Sequence, residues 1–199
     1  DEYYSKQLIV RTDRNRLSFP KNMGYHPGVE WYVVQNSQEE EIRLAVHHVD
    51  MLHQNGFEGS IGVITPFREI ANRLKTALYQ KLPDDDINTV NGFQGGERDI
   101  IIFVLAYTLD SPKGQQWYAT APENRYLYNV AVSRARACLL IIGDREYCRK
   151  APCHHLQALA GLPHQRPMNR FKPFDSIWEE RFYNALVEAG LDPQPQYPI

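Results

Sequence analysis

The sequence predicts an α/β fold: a parallel β-sheet flanked by helices, with a short helical appendage toward the C-terminal end. Three observations lead there. Apolar runs of strand length alternate with segments of helical periodicity. Two of those runs, IIIFVLA after Asp99 and CLLIIG from Cys138, are apolar at every position, as in strands covered on both faces. Parallel neighbours also need crossover connections, which the intervening helical segments supply. In such sheets ligands collect at the carboxyl ends of the strands.

The elements follow in order. Residues 1–28 mix strand-like pieces, QLIV and RLSF, with Pro20, Gly24 and Pro27, and read as an irregular lead-in. WYVVQ, from Trp31 to Gln35, is a short strand. In SQEEEIRLAVHHVDMLHQNG, Ser37 and Glu40 have capping-box spacing, Ile42, Val46, Val49 and Leu52 fall on one helical face, and Gly56 is the stop. SIGVIT is a buried strand, and Ile70, Leu74 and Leu78 mark the amphipathic helix after it. INTV, the run after Asp99 and CLLIIG supply three further strands, and HLQALAGL a last short helix. The domain spans residues 1–160; residues 161–173, proline-bearing and basic, read as a linker. A new element then opens over 174–199, with Ser176 and Glu179 as its capping pair, Trp178, Phe182, Ala185, Leu186 and Ala189 as its apolar face and Gly190 as its stop.

Composition narrows the class. The 199 residues are 43% hydrophobic and 12% aromatic, ordinary globular material, and no apolar stretch is long enough to span a bilayer. The acidic start DEYYSK is unlike a signal peptide, so the expectation is a cytoplasmic protein with no membrane partner. Three cysteines are an odd number without framework spacing, and Cys148, Cys153, His154 and His155 make only half of any usual zinc pattern, so no metal site is expected. A net charge of −2 carries no global basic field; a protein that holds a strand through a few backbone-directed contacts needs only a local groove.

Three segments carry the chemistry. NVAVSRAR, Asn129 to Arg136, sets two arginines directly before an apolar run, where a guanidinium held beside a strand can reach a phosphoryl group bound elsewhere. TVNGFQGGERDIIIFVLA, Thr89 to Ala106, carries the glycine pair Gly95 and Gly96, which lets backbone approach a ligand closely. IGVITPFREIANRLK, Ile61 to Lys75, places a hydroxyl, Thr65, at a strand end and Arg68 in the turn after it. Thr65, the Gln94 to Glu97 turn and Arg134 all lie near strand ends, and a parallel sheet is expected to bring them to one rim. Asn129 and Ser133, at spacings of seven and three from Arg136, are read as residues that position a helix.

In this order and spacing the three segments resemble motifs VI, V and IV of superfamily 1 helicases of the Upf-like branch. The resemblance implies a RecA-like fold, the second motor domain of such a helicase, with an upstream RecA-like domain as its partner across an ATP cleft. It implies that Arg134 is catalytic, neutralising charge that develops on the γ-phosphate, an effect of roughly 10³ to 10⁵ in rate for arginine fingers. Gln94, Gly95 and Glu97 would join Arg134 at the nucleotide, and Thr65, Arg68 and Thr89 would line the groove for a single strand, DNA in preference to RNA. The family has an aspartate where this chain has Asn91, which removes any charge-dependent role there. The segment from 174 resembles the opening helix of very-short-patch-repair-like endonuclease domains; Glu179 is explained there by its capping position alone.

ATP and Mg²⁺ belong to the full-length protein on this reading. The chain has no GxxxxGK[ST] phosphate loop and no apolar strand ending in paired acids, so alone it is expected to bind neither and to be inactive. Two other readings stay open: a non-catalytic module that binds nucleic acid or protein, and a domain that delivers DNA to a fused endonuclease.

Overall fold

The computed structural model describes Tyr25, residues 27–93 and residues 96–162. All of these lie in the first of the two units into which the chain divides, Asp1–Gln165 and Arg166–Ile199. The lead-in pieces QLIV and RLSF, the turn residues Gln94 and Gly95, and the helix expected over 174–199 fall outside the described residues.

Five strands, β1 (Gly28–Val33), β2 (Ile61–Thr65), β3 (Ile87–Thr89), β4 (Arg98–Val104) and β5 (Ala135–Gly143), form one sheet in the order β1-β5-β4-β2-β3. Every pairing is parallel. Helices α1 (Gln38–Gln54) and α2 (Arg68–Ala77) connect the first three strands, and α3 (Lys113–Thr120) and α4 (Arg125–Ser133) lie between β4 and β5. Two short helices, α5 (Arg145–Arg149) and α6 (His154–Gly161), follow β5. This is the α/β, RecA-like architecture expected from the alternation of runs. Residues Ile100 to Leu105 are completely buried, as their unbroken apolar character requires.

Local signals set the helix bounds. The Ser37 hydroxyl accepts from the Glu40 amide at 3.2 Å, so the expected cap opens α1. Gly56 takes a left-handed φ of 71° just beyond its end, a conformation glycine adopts without strain. The buried stripe of α1 is Glu41, Ile42, Ala45, His48, Val49 and Leu52, shifted from the apolar face read in the sequence because it admits two polar residues.

Both are held by tertiary contacts. Glu41 accepts a 2.6 Å bond from the amide of Ala106, whose own φ of 50° is unusual for a residue with a Cβ. Gln38, one turn earlier, donates to the Ala106 carbonyl at 2.7 Å, so α1 grips the chain just after β4 from both sides. His48 Nδ1 shares a 2.7 Å hydrogen bond with the Tyr25 hydroxyl, and its ring meets Tyr32 edge-on.

Burial pushes the Glu41 carboxyl up to about 8, with Asp144 adding to the effect, and lowers the His48 imidazole to about 4. The folded protein therefore keeps a proton on Glu41 that the unfolded chain releases near 4.5, and stability declines as pH rises through that interval. His48 acts in the opposite sense, since the unfolded chain binds a proton up to about 6.5 that the folded state refuses above about 4. Below pH 6.5 the two oppose one another; between pH 6.5 and 8 only Glu41 acts. The expected outcome is a stability that falls by about 1 kcal/mol per pH unit over that upper interval, measured by urea denaturation. Glu41→Gln, which keeps the acceptor for Ala106, should flatten the curve there; a parent curve already flat would remove the assignment.

Candidate functional site

The sequence-predicted residues gather at two places. The first is the rim where β4 and β5 begin. Arg134 is the residue after α4 and the one before β5; its carbonyl accepts from the Arg98 amide at 3.1 Å, which locks the entries of the two strands together. Its guanidinium is partly exposed and, among the described residues, bonds only to its own helix terminus, Nε to the Val130 carbonyl at 3.3 Å and Nη2 to the Ser133 hydroxyl at 3.5 Å. Among the described residues it makes no ion pair with a carboxylate. A cation held by the carbonyl end of a helix, with no acid neutralising it, is suited to meet an anion.

Glu97 stands beside it, exposed, and pairs with Arg136 at 3.3 Å rather than with its neighbour Arg98. Arg98 is engaged elsewhere. It binds Asp86 at 2.5 Å, donates to the Glu97 carbonyl at 2.9 Å, and lies over the Phe93 ring at 5.2 Å. Ser60 and Asp99 bond reciprocally on the same rim, at 2.7 to 2.9 Å.

The second place is the rim where β2 and β3 end. Thr65 and Thr89 are register partners there. Thr89 is half-buried and its hydroxyl accepts from the Gly92 amide at 3.0 Å, closing the turn after β3. Arg68 is exposed at the first residue of α2 and has no ion pair among the described residues, so the pairing with Glu69 that would explain it locally is not made. Thr65 is different from expectation. It is completely buried and its hydroxyl has no hydrogen-bond partner among the described residues, so in this conformation it does not face a strand lying on the rim. Asn91 is exposed and donates to the Tyr118 hydroxyl at 3.3 Å.

The single rim expected from the sequence is thus corrected. In parallel strands a residue that precedes a strand and one that follows a strand lie at opposite ends, and β4 alone spans about 20 Å at about 3.3 Å per residue. Glu97 and Arg134 precede strands, whereas Thr65, Arg68 and Thr89 end or follow them. Arg136 is likewise a β5 residue, not a helical one, so the face it was expected to share with Asn129 and Ser133 does not exist.

One segment joins the two rims. Residues 90–97 run from the end of β3 to the start of β4, past β2, which lies between them in the sheet. Phe93 is buried in this passage, and Gly62 on β2 makes room for it: a Cβ there would sit 2.9 Å from the Phe93 Cζ and 2.9 Å from the Ile101 Cδ1. Sequence reading missed Gly62, Phe93 and Arg98 as a unit. The only available signal was a glycine inside an otherwise apolar strand, which marks close approach by another part of the chain.

The zinc reading of the Cys148 to His155 cluster meets different chemistry. Cys148 is buried and His155 Nε2 contacts the Ala119 carbonyl at 2.9 Å. Among the described residues no three His, Cys, Asp or Glu side chains are grouped to hold a metal ion, and no helix is long and apolar enough to cross a membrane.

Comparison with known proteins adds the family. The family model described as "AAA domain" matches residues 21–146. The chain belongs to that family. The matched span of this AAA domain includes both rims and the segment between them. The chain is 35% identical over 123 residues to the DNA polymerase alpha-associated DNA helicase A of Saccharomyces cerevisiae, covering 60% of this chain and 17% of that protein. It is 40% identical over 118 residues to helicase sen1 of Schizosaccharomyces pombe, covering 54% of this chain and 7% of that protein. Against DNA-binding protein SMUBP-2 of Rattus norvegicus it is 35% identical over 105 residues, 52% of this chain and 10% of the relative. This AAA domain is therefore one shared with helicases, and the chain spans less than a fifth of the length of each of these relatives.

Two substitutions test the geometry. Gly62→Ala should cost about 1 to 3 kcal/mol in urea denaturation, because buried Phe93 and Ile101 must both move. Arg136→Ala should cost less than about 1 kcal/mol, because the pair it breaks is half-exposed on both sides. The reverse ranking would show that the passage over β2 is loose.

Proposed function

We propose that this chain is the second motor domain of an ATP-dependent superfamily 1 helicase or translocase of the Upf-like branch, and that it supplies the arginine finger. The observation that carries the reading is Arg134: a partly exposed guanidinium without a carboxylate partner among the described residues, fixed between the end of α4 and the start of β5, with Glu97 on the same rim. Its similarity to proteins named as helicases supports the same conclusion.

The residues present fit a nucleotide approaching from an upstream RecA-like domain. Arg134 would present Nη1 and the outer edge of its guanidinium to the anionic end of the ligand, while Val130 and Ser133 fix its angle through Nε and Nη2. Glu97, steadied by Arg136, would accept a hydrogen bond from the ribose, and Gln94 and Gly95 would bring backbone close to it. When bound in the full-length protein, ATP with Mg²⁺ supplies the phosphoryl group that is transferred to water. Arg134 would answer the charge that builds on that group.

The opposite rim would hold the single strand. Arg68 contributes a cation without an ion pair among the described residues, and the turn closed by Thr89, whose Val90, Gly92 and Phe93 amides are held internally, would present the exposed Asn91 amide to a phosphate oxygen, contacts that read no sequence. Thr65 acts from beneath, through its carbonyl, which accepts from the Val90 amide at 2.9 Å and so sets the turn. The names of two relatives, a DNA helicase and a DNA-binding protein, favour DNA as that strand. Residues 161–173 would then be a linker and 174–199 the beginning of a nuclease-like domain.

The decisive measurement is single-strand-stimulated ATPase activity of the full-length protein. Arg134→Ala should lower kcat by roughly 10³ to 10⁵ with nucleotide affinity changed only a few-fold. Turnover at the parent rate with ATP still bound would end the assignment of Arg134.

A further inference from the structure

The helix α3 has an inner and an outer side. Gln115 reaches Glu69 at 3.4 Å, and Tyr118 takes the hydrogen bond from Asn91 and meets the Phe67 ring at 6.2 Å between centroids. These contacts fix α3 against the turns that follow β2 and β3, at the rim that holds Arg68 and Thr89. Gln38 and the Ser111 hydroxyl anchor the start of the helix from the other direction, since Gln38 donates to both Ser111 and Gln115 at 3.1 and 3.0 Å. The helix is therefore tied down at each end.

What it turns outward is Lys113 and, one turn later on the same face, Trp117. Trp117 is 64% exposed, and Lys113 is exposed without an ion pair among the described residues. The nearby acids make hydrogen bonds elsewhere, Glu69 with Gln115 and Asp110 with Asn36 at 2.8 Å, and neither pairs with Lys113 among the described residues. An exposed indole with a cation one turn away on the same helix face is the arrangement that binds a base by its π-face and the adjoining phosphate by charge.

We propose that the outer face of α3, through Trp117 and Lys113, extends the single-strand groove and gives it a base-stacking platform. This rests on the reading that the rim of Arg68 and Thr89 binds a single strand. It adds a base contact to a groove otherwise served by backbone-directed ones, and it is indifferent to base identity because every base has a stacking face.

The test is binding of a fluorescently labelled oligothymidylate by the full-length protein without nucleotide, read by anisotropy, with folding of each variant checked by circular dichroism. Trp117→Ala should weaken binding roughly 5- to 100-fold, the range expected for one base–aromatic stack, whereas Trp117→Phe should retain most of the affinity. On an abasic strand of the same length, parent and Trp117→Ala should bind alike. Lys113→Ala should lower the salt dependence by about one ion. If Trp117→Ala binds like the parent while Arg68→Ala is impaired, the groove stands and the platform is wrong. Failure of the parent to bind any single strand overturns the groove and the platform together, and a loss on Trp117→Ala that persists on the abasic strand shows that the indole does not stack on a base.

Discussion

All five strands point the same way, and that one constraint orders the rest of the molecule. A parallel neighbour can be reached only by carrying the chain back along the full length of a strand, so each connection has one end at each rim. The candidate site residues are distributed accordingly. Those that terminate a strand, Thr65 and Thr89, are at one rim with Arg68, and those that precede a strand, Glu97 and Arg134, are at the other. The separation of about one strand length is not a matter of loop conformation; it follows from the direction of the sheet.

The polar groups buried in the fold serve this arrangement at a cost. Glu41 is enclosed with one oxygen lacking a partner, and Ala106 takes a left-handed backbone conformation to meet the other. Each of these features is unfavourable alone, by about 1 to 3 kcal/mol. Together with Gln38 they clamp the chain as it leaves β4, and that exit delivers α3 to the rim. An apolar substitute would remove the penalty and also the grip on the Ala106 backbone.

Much of this was legible in the sequence. Unbroken apolar runs identified β4 and β5, because only a strand covered on both faces needs no polar alternation, and Ser37 with Glu40 announced the start of α1. The missed features share a cause. Helix α3, KGQQWYAT, has no apolar stripe, because its outer face exposes tryptophan and its inner face uses tyrosine and glutamine. The burial of Thr65 depends on segments distant in sequence. The two rims were merged because nearness to a strand end was read without asking which end, although the parallel order already contained the answer.

That separation bears on how the proposed motor would work. If nucleotide is met at one rim and the strand at the other, something must transmit between them, and a change at one is felt at the other only through an element with contacts at both. Phe93 with its neighbours is such an element: Thr89 and Gly92 close the turn just before it, Arg98 lies over its ring from the start of β4, and the ring is wedged over Gly62. A densely packed wedge moves as a unit rather than deforming, which suits it to pass on a displacement. Arg98 strengthens the case, since it holds Asp86 ahead of β3, the Phe93 ring and the Arg134 carbonyl at once. A shift of Arg134 toward an anion would therefore pull first on Arg98, and through Phe93 on the turn after β3.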